Sequence, residues 1–462
     1  MASKQIWFKI NSFLITSLKH RLSYLYSFSS IILFNGLSKL LEYFNGDSDG
    51  LISGQLRFAI FDINILLCAW FLLSLYFKSR RISDIHIPKQ YWFVLFGLGL
   101  ILRILMAILG HNFDLESYEI VADIVLDGNS VYANTTRYNY GPIWAYILAF
   151  LKSIAGIGTY NQKLFHVLIV IVLFTAEVFL YKAIYKQTKN NLLILLLLFN
   201  PISIIIIGHH SQFDILAICM AYYAYLNLTK KKYNTAILLL GLSYCIKHIM
   251  VFFPLMLLFN QDILLKERIK LLSIPALIFA LSFLPFYHDF EAIKTNVLSY
   301  QFNNNQTFLK HILDLAIPGF ITKMGLFKLL PIFTGYKFIW LLIFPTLAYY
   351  AYKWKNIDIF NVYLLCIVAT SLAISEQYFL IPLTAVFVYR KYLFSWIYVF
   401  LASYYIMFVS FNNTSKYFSL KSIGIALDFE WYQIGFAQVQ LCLFVLLGQI
   451  LYSGYKQNKT VH

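Results

Sequence analysis

Residues 142–158 read Pro-Ile-Trp-Ala-Tyr-Ile-Leu-Ala-Phe-Leu-Lys-Ser-Ile-Ala-Gly-Ile-Gly, and whether this stretch crosses a bilayer decides the architecture on both sides of it. It is apolar enough to be read as a span. In that case the basic clusters at Lys186/Lys189 and Lys230-Lys231-Lys232 cannot share a side with Lys78-Arg80-Arg81. Read instead as an amphipathic helix lying flat on the membrane surface, it leaves every basic cluster on one face, as the enrichment of Lys and Arg in cytoplasmic loops requires. The flat placement is therefore adopted.

Composition requires the bilayer. Of 462 residues, 60% are apolar, 19% aromatic and only 13% charged, with a mean hydropathy of +0.68. A soluble domain carries about 25% charged residues and could not keep this much hydrocarbon from water. The 20 Gly, 10 Pro and 5 Cys are too few for collagen-like, disordered or disulfide-scaffold chains. Cys68, Cys219, Cys245, Cys366 and Cys442 all sit in apolar segments without metal-ligand or disulfide spacing. The basic, amphipathic N-terminus has no small-residue cleavage site after a compact apolar core, so no cleaved signal peptide is expected.

Windows of about 20 apolar residues lie at 22–44, 58–77, 91–109, 164–184, 192–208, 271–286, 336–353, 393–411 and 432–452. Shorter or broken windows lie at 214–229, 234–248, 249–260, 357–374 and 377–389. The expectation is an all-α polytopic membrane protein of roughly 12–14 helices, because an open sheet cannot satisfy its backbone in lipid. Inside segments then hold about 23 basic residues against four acids and outer segments about 12 against 15. The net charge of +16 thus reports orientation and gives no reason to invoke nucleic acid. Two outer loops, 110–163 and 287–335, far exceed the usual helix connection and mark the outer face as the working face.

The first outer loop opens His111-Asn112-Phe113-Asp114-Leu115-Glu116-Ser117-Tyr118. Glu116, Glu119, Asp123 and Asp127 recur at helical spacing opposite Tyr118, Val121 and Val125, which reads as a short helix with a solvated acidic face. Asp114 precedes that face at the membrane exit. Two readings stand: a partly desolvated general base, or a helix N-cap. The loop continues through Arg137-Tyr138-Asn139-Tyr140-Gly141-Pro142, a rigid turn whose Tyr138, Tyr140 and Trp144 suit the interface or a sugar-stacking wall.

This order of features resembles the GT-C superfamily of polyprenyl-phosphate-sugar-dependent glycosyltransferases: an acid in the first outer loop, an amphipathic helix, a Tyr-X-Tyr-Gly-Pro turn, then a surface helix. Within it the chain looks most like the dolichyl-phosphate-glucose glucosyltransferases of asparagine-linked glycosylation. Asn200-Pro201 through Gly208-His209-His210-Ser211-Gln212-Phe213-Asp214 resembles that group's luminal His-Phe-Gln-Tyr-Asn motif, with Asp214 in place of Asn. Lys247-His248 resembles its Lys-Gln pair, and Ser375-Glu376-Gln377-Tyr378 its His-Glu-Lys motif, from which it departs at two of three positions. The likeness covers about residues 91–390, so the chain divides into N-terminal membrane segments (1–90), a GT-C-like catalytic module (91–286), a second outer loop (287–335) and C-terminal helices (336–462).

The resemblance implies transfer of a hexose from a lipid phosphate to an acceptor hydroxyl with inversion, Asp114 acting as base. A phosphate leaving group needs little protonation, so one carboxylate suffices where hydrolysis uses two. Glu116 would orient the acceptor or hold a divalent cation. Lys247 and Arg103 are the candidate cations for the leaving phosphate, with snorkelling to the outer surface as the structural alternative. His248 could donate to the same phosphate. His209, His210, Gln212 and Asp214 read as sugar or phosphate hydrogen-bonding groups; metal binding and helix capping are the alternatives, and no metal-ligand spacing supports the former. Glu376 would meet a donor hydroxyl or serve as loop polarity. Glu177 and Asp62 are in-span acids without an assigned partner.

The second loop, with His288, Asp289, Asn303-Asn304-Asn305, Lys310 and His311, is expected to form a lid. Sequons at Asn134, Asn305 and Asn412 fall on the outer side. No resident metal or cofactor is assigned; the implied partners are the bilayer, the polyprenyl-phosphate-linked donor and a glycan or lipid-linked acceptor. A flippase or exporter and a lipid-linked glycan polymerase are the competing readings. The absence of matching halves argues against a transporter, and the Asp114–Pro142 module with the 208–214 motif favours the transferase. The expected location is a prokaryotic cytoplasmic membrane in preference to the endoplasmic reticulum, with the active site on the non-cytoplasmic face.

Overall fold

The apolar stretches fold as helices, and among the residues that this computed structural model describes (86–299, 337–354, 357–372, 375–411 and 431–461) there is no strand. The chain divides into two units, and every described residue except Trp431 belongs to the larger one, Ser83–Asn412 with Tyr432–His462. The windows at 22–44 and 58–77, Asp62, most of the loop 287–335 and the sequons at Asn305 and Asn412 lie outside the described residues.

The larger unit runs α1 (Lys89–Leu109), α2 (Phe113–Leu126), α3 (Pro142–Ala155), α4 (Gln162–Thr188), α5 (Asn191–Leu198), α6 (Pro201–Gly208), α7 (Asp214–Thr229), α8 (Tyr233–Ile246) and α9 (Leu265–Leu281). It continues with α10 (Lys337–Lys353), α11 (Ile359–Ala369), α12 (Leu383–Val388), α13 (Leu393–Phe411) and α14 (Trp431–Val461). Among the described residues three helical stretches can cross a membrane by length and composition: α1, α4 and Phe436–Lys459 of α14. The pair α5 and α6, bent by 44°, and α9 with 284–298, bent by 71°, raise that to five. Among the described residues the protein is thus all-helical, with helices apolar enough for a membrane.

The α5/α6 bend has a local cause. Pro201 cannot continue a helix, and the Asn200 side chain caps the new one by accepting from Ile202 N at 2.9 Å. The break leaves Leu197 O with a long backbone bond from Asn200 N at 3.5 Å and takes the regular helical donor from Leu198 O, and a bilayer offers no water in its place. Tyr181 Oη donates to Leu197 O at 3.2 Å and Arg103 Nη2 to Leu198 O at 3.1 Å. At the far end of α6, Gly208 lets this helix touch α1: a Cβ there would stand 2.6 Å from Arg103 O.

α3 has 14 residues and rises about 21 Å, short of the roughly 30 Å hydrocarbon core. It buries Trp144, Ala145, Leu148 and Leu151 against α2, α4 and α8, and leaves Tyr146 and Phe150 exposed on the other side. Lys152 pairs with Asp123 of α2 at 2.7 Å. Length and this tie to the outer loop favour surface placement. Single cysteines at Phe150 and Lys231 are expected to label from opposite sides of the membrane; labelling from one side would overturn the placement. The four cysteines among the described residues are buried.

The acidic face of α2 is largely solvated as expected, with Glu116, Asp123 and Asp127 exposed, and two of its carboxylates also make side-chain contacts. Glu119 accepts from the Tyr160 hydroxyl and from Gln162 Nε2 at 2.9 Å, and Asp123 is taken by Lys152. These contacts fasten α2 to α3 and to the start of α4.

Candidate functional site

Several loops and the starts of α2 and α7 converge where the ends of α1, α6 and α8 meet. Asn112 caps α2: its Oδ1 accepts from Asp114 N at 3.0 Å. That settles one alternative, because Asp114 is inside the first turn of the helix and is not its cap. The Asp114 carboxylate is instead held by side-chain amides, its Oδ2 accepting from Asn112 Nδ2 at 2.8 Å and from Gln212 Nε2. Both bonds fall on one oxygen. Oδ1 is left as the oxygen that can accept a proton from a bound hydroxyl.

Gln212 reaches Asp114 because the chain turns sharply after α6. Ser211 takes the left-handed conformation, φ 55°, which is unfavourable for a residue with a Cβ. The turn is tied down by His210 N to Ile205 O at 3.1 Å and Gln212 N to Ile206 O at 3.2 Å. Asp214 then opens α7, fully buried, and accepts from Lys247 Nζ at 2.7 Å.

Lys247 follows the last turn of α8, with Tyr140, Phe213 and Tyr378 around its ammonium at 5.0, 4.9 and 5.8 Å from the ring centroids. Asp where the motif resemblance expects Asn is thereby explained: position 214 supplies the counter-ion of a buried lysine. Gly141 makes the approach of Tyr140 to this lysine feasible. A Cβ on Gly141 would lie 2.1 Å from Cys245 O, so Gly141→Ala is expected to destabilise the fold by about 1–3 kcal/mol through overpacking, read as a lowered thermal unfolding midpoint.

Burial raises the Asp114 carboxyl above the ordinary carboxylate range, and Asp214 adds to the rise; the Asn112 and Gln212 hydrogen bonds and the Lys247 charge oppose it. Glu376 is raised by its own burial and by repulsion from Asp114. The structure therefore brings Asp114, Gln212, Asp214, Lys247, Tyr140 and Glu376 into one electrostatic neighbourhood. The buried Tyr118 hydroxyl, which has no hydrogen-bond partner among the described residues, belongs to the same neighbourhood.

Other expected site residues go elsewhere. Arg103 is sealed, 0% exposed, with Nε 2.7 Å from Glu177 Oε2, Nη2 2.6 Å from Ser203 Oγ and Nη1 2.9 Å from Gly99 O. It neither snorkels nor faces a phosphate; it neutralises Glu177, which gains the partner the sequence did not reveal. Tyr138 is buried and fixes the start of α3, donating to Gly141 O at 2.5 Å and accepting from Ala145 N at 3.0 Å. Trp144 is also buried and stacks on Phe213 at 4.6 Å, so neither forms a sugar-stacking wall.

His209 is buried with its ring 5.3 Å from that of His210, and His248 packs on Phe279 at 6.2 Å. Among the described residues no three His, Cys, Asp or Glu side chains are arranged to hold a metal ion.

Asn112 and Ser410 are among the site members that escaped the sequence reading. Asn112 carried a weak signal, an Asn directly before a helix start. Ser410, which meets His210 Nε2 at 2.7 Å, carried none. Compared with known proteins, the chain matches no family model and no curated protein.

Proposed function

We propose that the protein is an integral membrane glycosyltransferase that moves a hexose from a polyprenyl-phosphate-linked donor to a glycan or lipid-linked acceptor on the outer face. Its membrane part is a GT-C-like bundle of about 12–14 spans. The observation that carries the reading is the Asp114 carboxylate, with one oxygen clamped by two amides, the other open, and a buried lysine close by.

The acceptor hydroxyl gives its proton to Asp114 Oδ1 as its oxygen bonds to the anomeric carbon. The bond from that carbon to the phosphate oxygen breaks on the opposite face, and the phosphate leaves with the electron pair. One displacement inverts the anomeric centre. Lys247 supplies fixed positive charge toward the departing phosphate, placed before reaction and shielded from water. Glu376 faces the sugar.

The test is to offer the purified chain labelled polyprenyl-phosphate-glucose, polyprenyl-phosphate-mannose and a nucleotide sugar, with a lipid-linked glycan as acceptor. Transfer from a polyprenyl phosphate sugar is expected, and preference for the nucleotide sugar would reject the reading.

A further inference from the structure

Beside Asp114 runs a chain of hydrogen bonds that the transfer step does not use. Asn112 Nδ2 lies 2.8 Å from Asp114 Oδ2 and 2.9 Å from His210 Nδ1, and His210 Nε2 lies 2.7 Å from Ser410 Oγ on α13. The donors and acceptors in this chain can be assigned. Asn112 Oδ1 is committed to the Asp114 backbone N–H, which fixes the flip of the amide and leaves its NH₂ facing both Asp114 and His210. An NH₂ group only donates, so His210 Nδ1 accepts. The ring is then neutral, carries its proton on Nε2 and donates it to Ser410.

We propose that His210 is a positioning residue for Asp114, acting through the Asn112 amide and only in its neutral, Nε2-protonated form. This rests on the reading of Asp114 as the base. His210 is 1% exposed, and burial lowers its pKa to about 4, so the neutral form prevails at neutral pH. A second proton would sit on Nδ1 against the Asn112 NH₂, and the amide could no longer serve both neighbours. The neighbouring His209 ring lies 5.3 Å from that of His210. The chain also makes the end of α13 part of the support for a base about 300 residues earlier in sequence.

His210→Asn retains an acceptor oxygen where Nδ1 stood, whereas His210→Gln places its amide nearer the Nε2 position and His210→Ala removes both. The readout is the pH titration of the Asp114 carboxyl by infrared difference spectroscopy on the full chain in nanodiscs, its band identified by subtraction of Asp114→Asn. The groups acting on that titration are Asn112, Lys247, Asp214 and Gln212; these, and Glu376 and Tyr118, on which Asp114 acts in turn, are unchanged in the three variants.

Without His210 the Asn112 amide is released and its stabilisation of the charged carboxylate lost. The midpoint is expected to rise by about one pH unit in the Ala and Gln variants and to stay near wild type in the Asn variant. An unmoved midpoint in His210→Gln, or a shift in His210→Asn as large as in His210→Gln, would overturn the proposal. Thermal unfolding checks that each variant is folded, and the Asn/Gln comparison decides the matter even where Ala does not fold. The readout needs no sugar donor, so failure of transfer in the wild type would reject the function without touching this result.

Discussion

Asp114→Asn should reduce hexose transfer by about 10²- to 10⁴-fold, the span of a general base, while the chain still inserts and folds. Asn has nearly the shape of Asp and can still accept from Gln212 and Asn112 through its carbonyl oxygen. What it loses is the ability to take a proton at the position of Oδ1. The assay compares initial rates of labelled sugar transfer for wild type and variant, with thermal unfolding as the control for folding. Asp114→Glu keeps the charge but moves it along α2 away from both amides, and is expected to recover only part of the rate. Wild-type activity in purified Asp114→Asn would remove the base assignment.

The second large effect concerns stability. Arg103 and Glu177 are both fully buried and 2.7 Å apart, and each has further bonds: Arg103 to Gly99 O, Leu198 O and Ser203, and Glu177 to Ser203 and Tyr181. Removing one partner leaves a charge unpaired in a medium without water. Arg103→Ala or Glu177→Ala should therefore cost about 3–5 kcal/mol.

Arg103→Met with Glu177→Leu should cost much less than either alanine change, because no charge is then stranded. Some loss will remain, since the Leu198 carbonyl freed by the α5/α6 bend loses its donor. Unfolding of the single and double variants in detergent, read by the temperature midpoint, distinguishes this from a phosphate-binding Arg103. A phosphate-binding arginine would lose transfer on substitution and leave the midpoint unmoved.

Helix class and the short helix at Pro142–Ala155 were legible because they depend on composition and on apolar run length, both linear properties. Asp114, Gln212, Asp214 and Lys247 were legible as unusual polar residues at helix ends, since burying such groups is costly wherever they occur. Their pairing was not. Nothing in the sequence marked Lys247 as having a counter-ion, because Asp214 lies 33 residues away, and Arg103 looked like a phosphate ligand because Glu177 lies on another helix. Sequence alone cannot tell a cation waiting for a ligand from one already neutralised by the fold. Tyr138 and Trp144 misled in a related way: an aromatic residue near a membrane surface suits both a sugar wall and a packing wedge, and the packing of α3 on Phe213 decides for the wedge.

The central claim, that a buried Asp114 carboxylate is the base, is tested most directly by the pH dependence of transfer in the wild-type chain. Transfer needs the ionised form. Because burial raises the Asp114 pKa, the rate should be full well above that value and fall about tenfold per pH unit below it, with the midpoint above the ordinary Asp value of about 3.9. A rate that stays constant from neutral pH down to about 4 in folded protein would contradict the account.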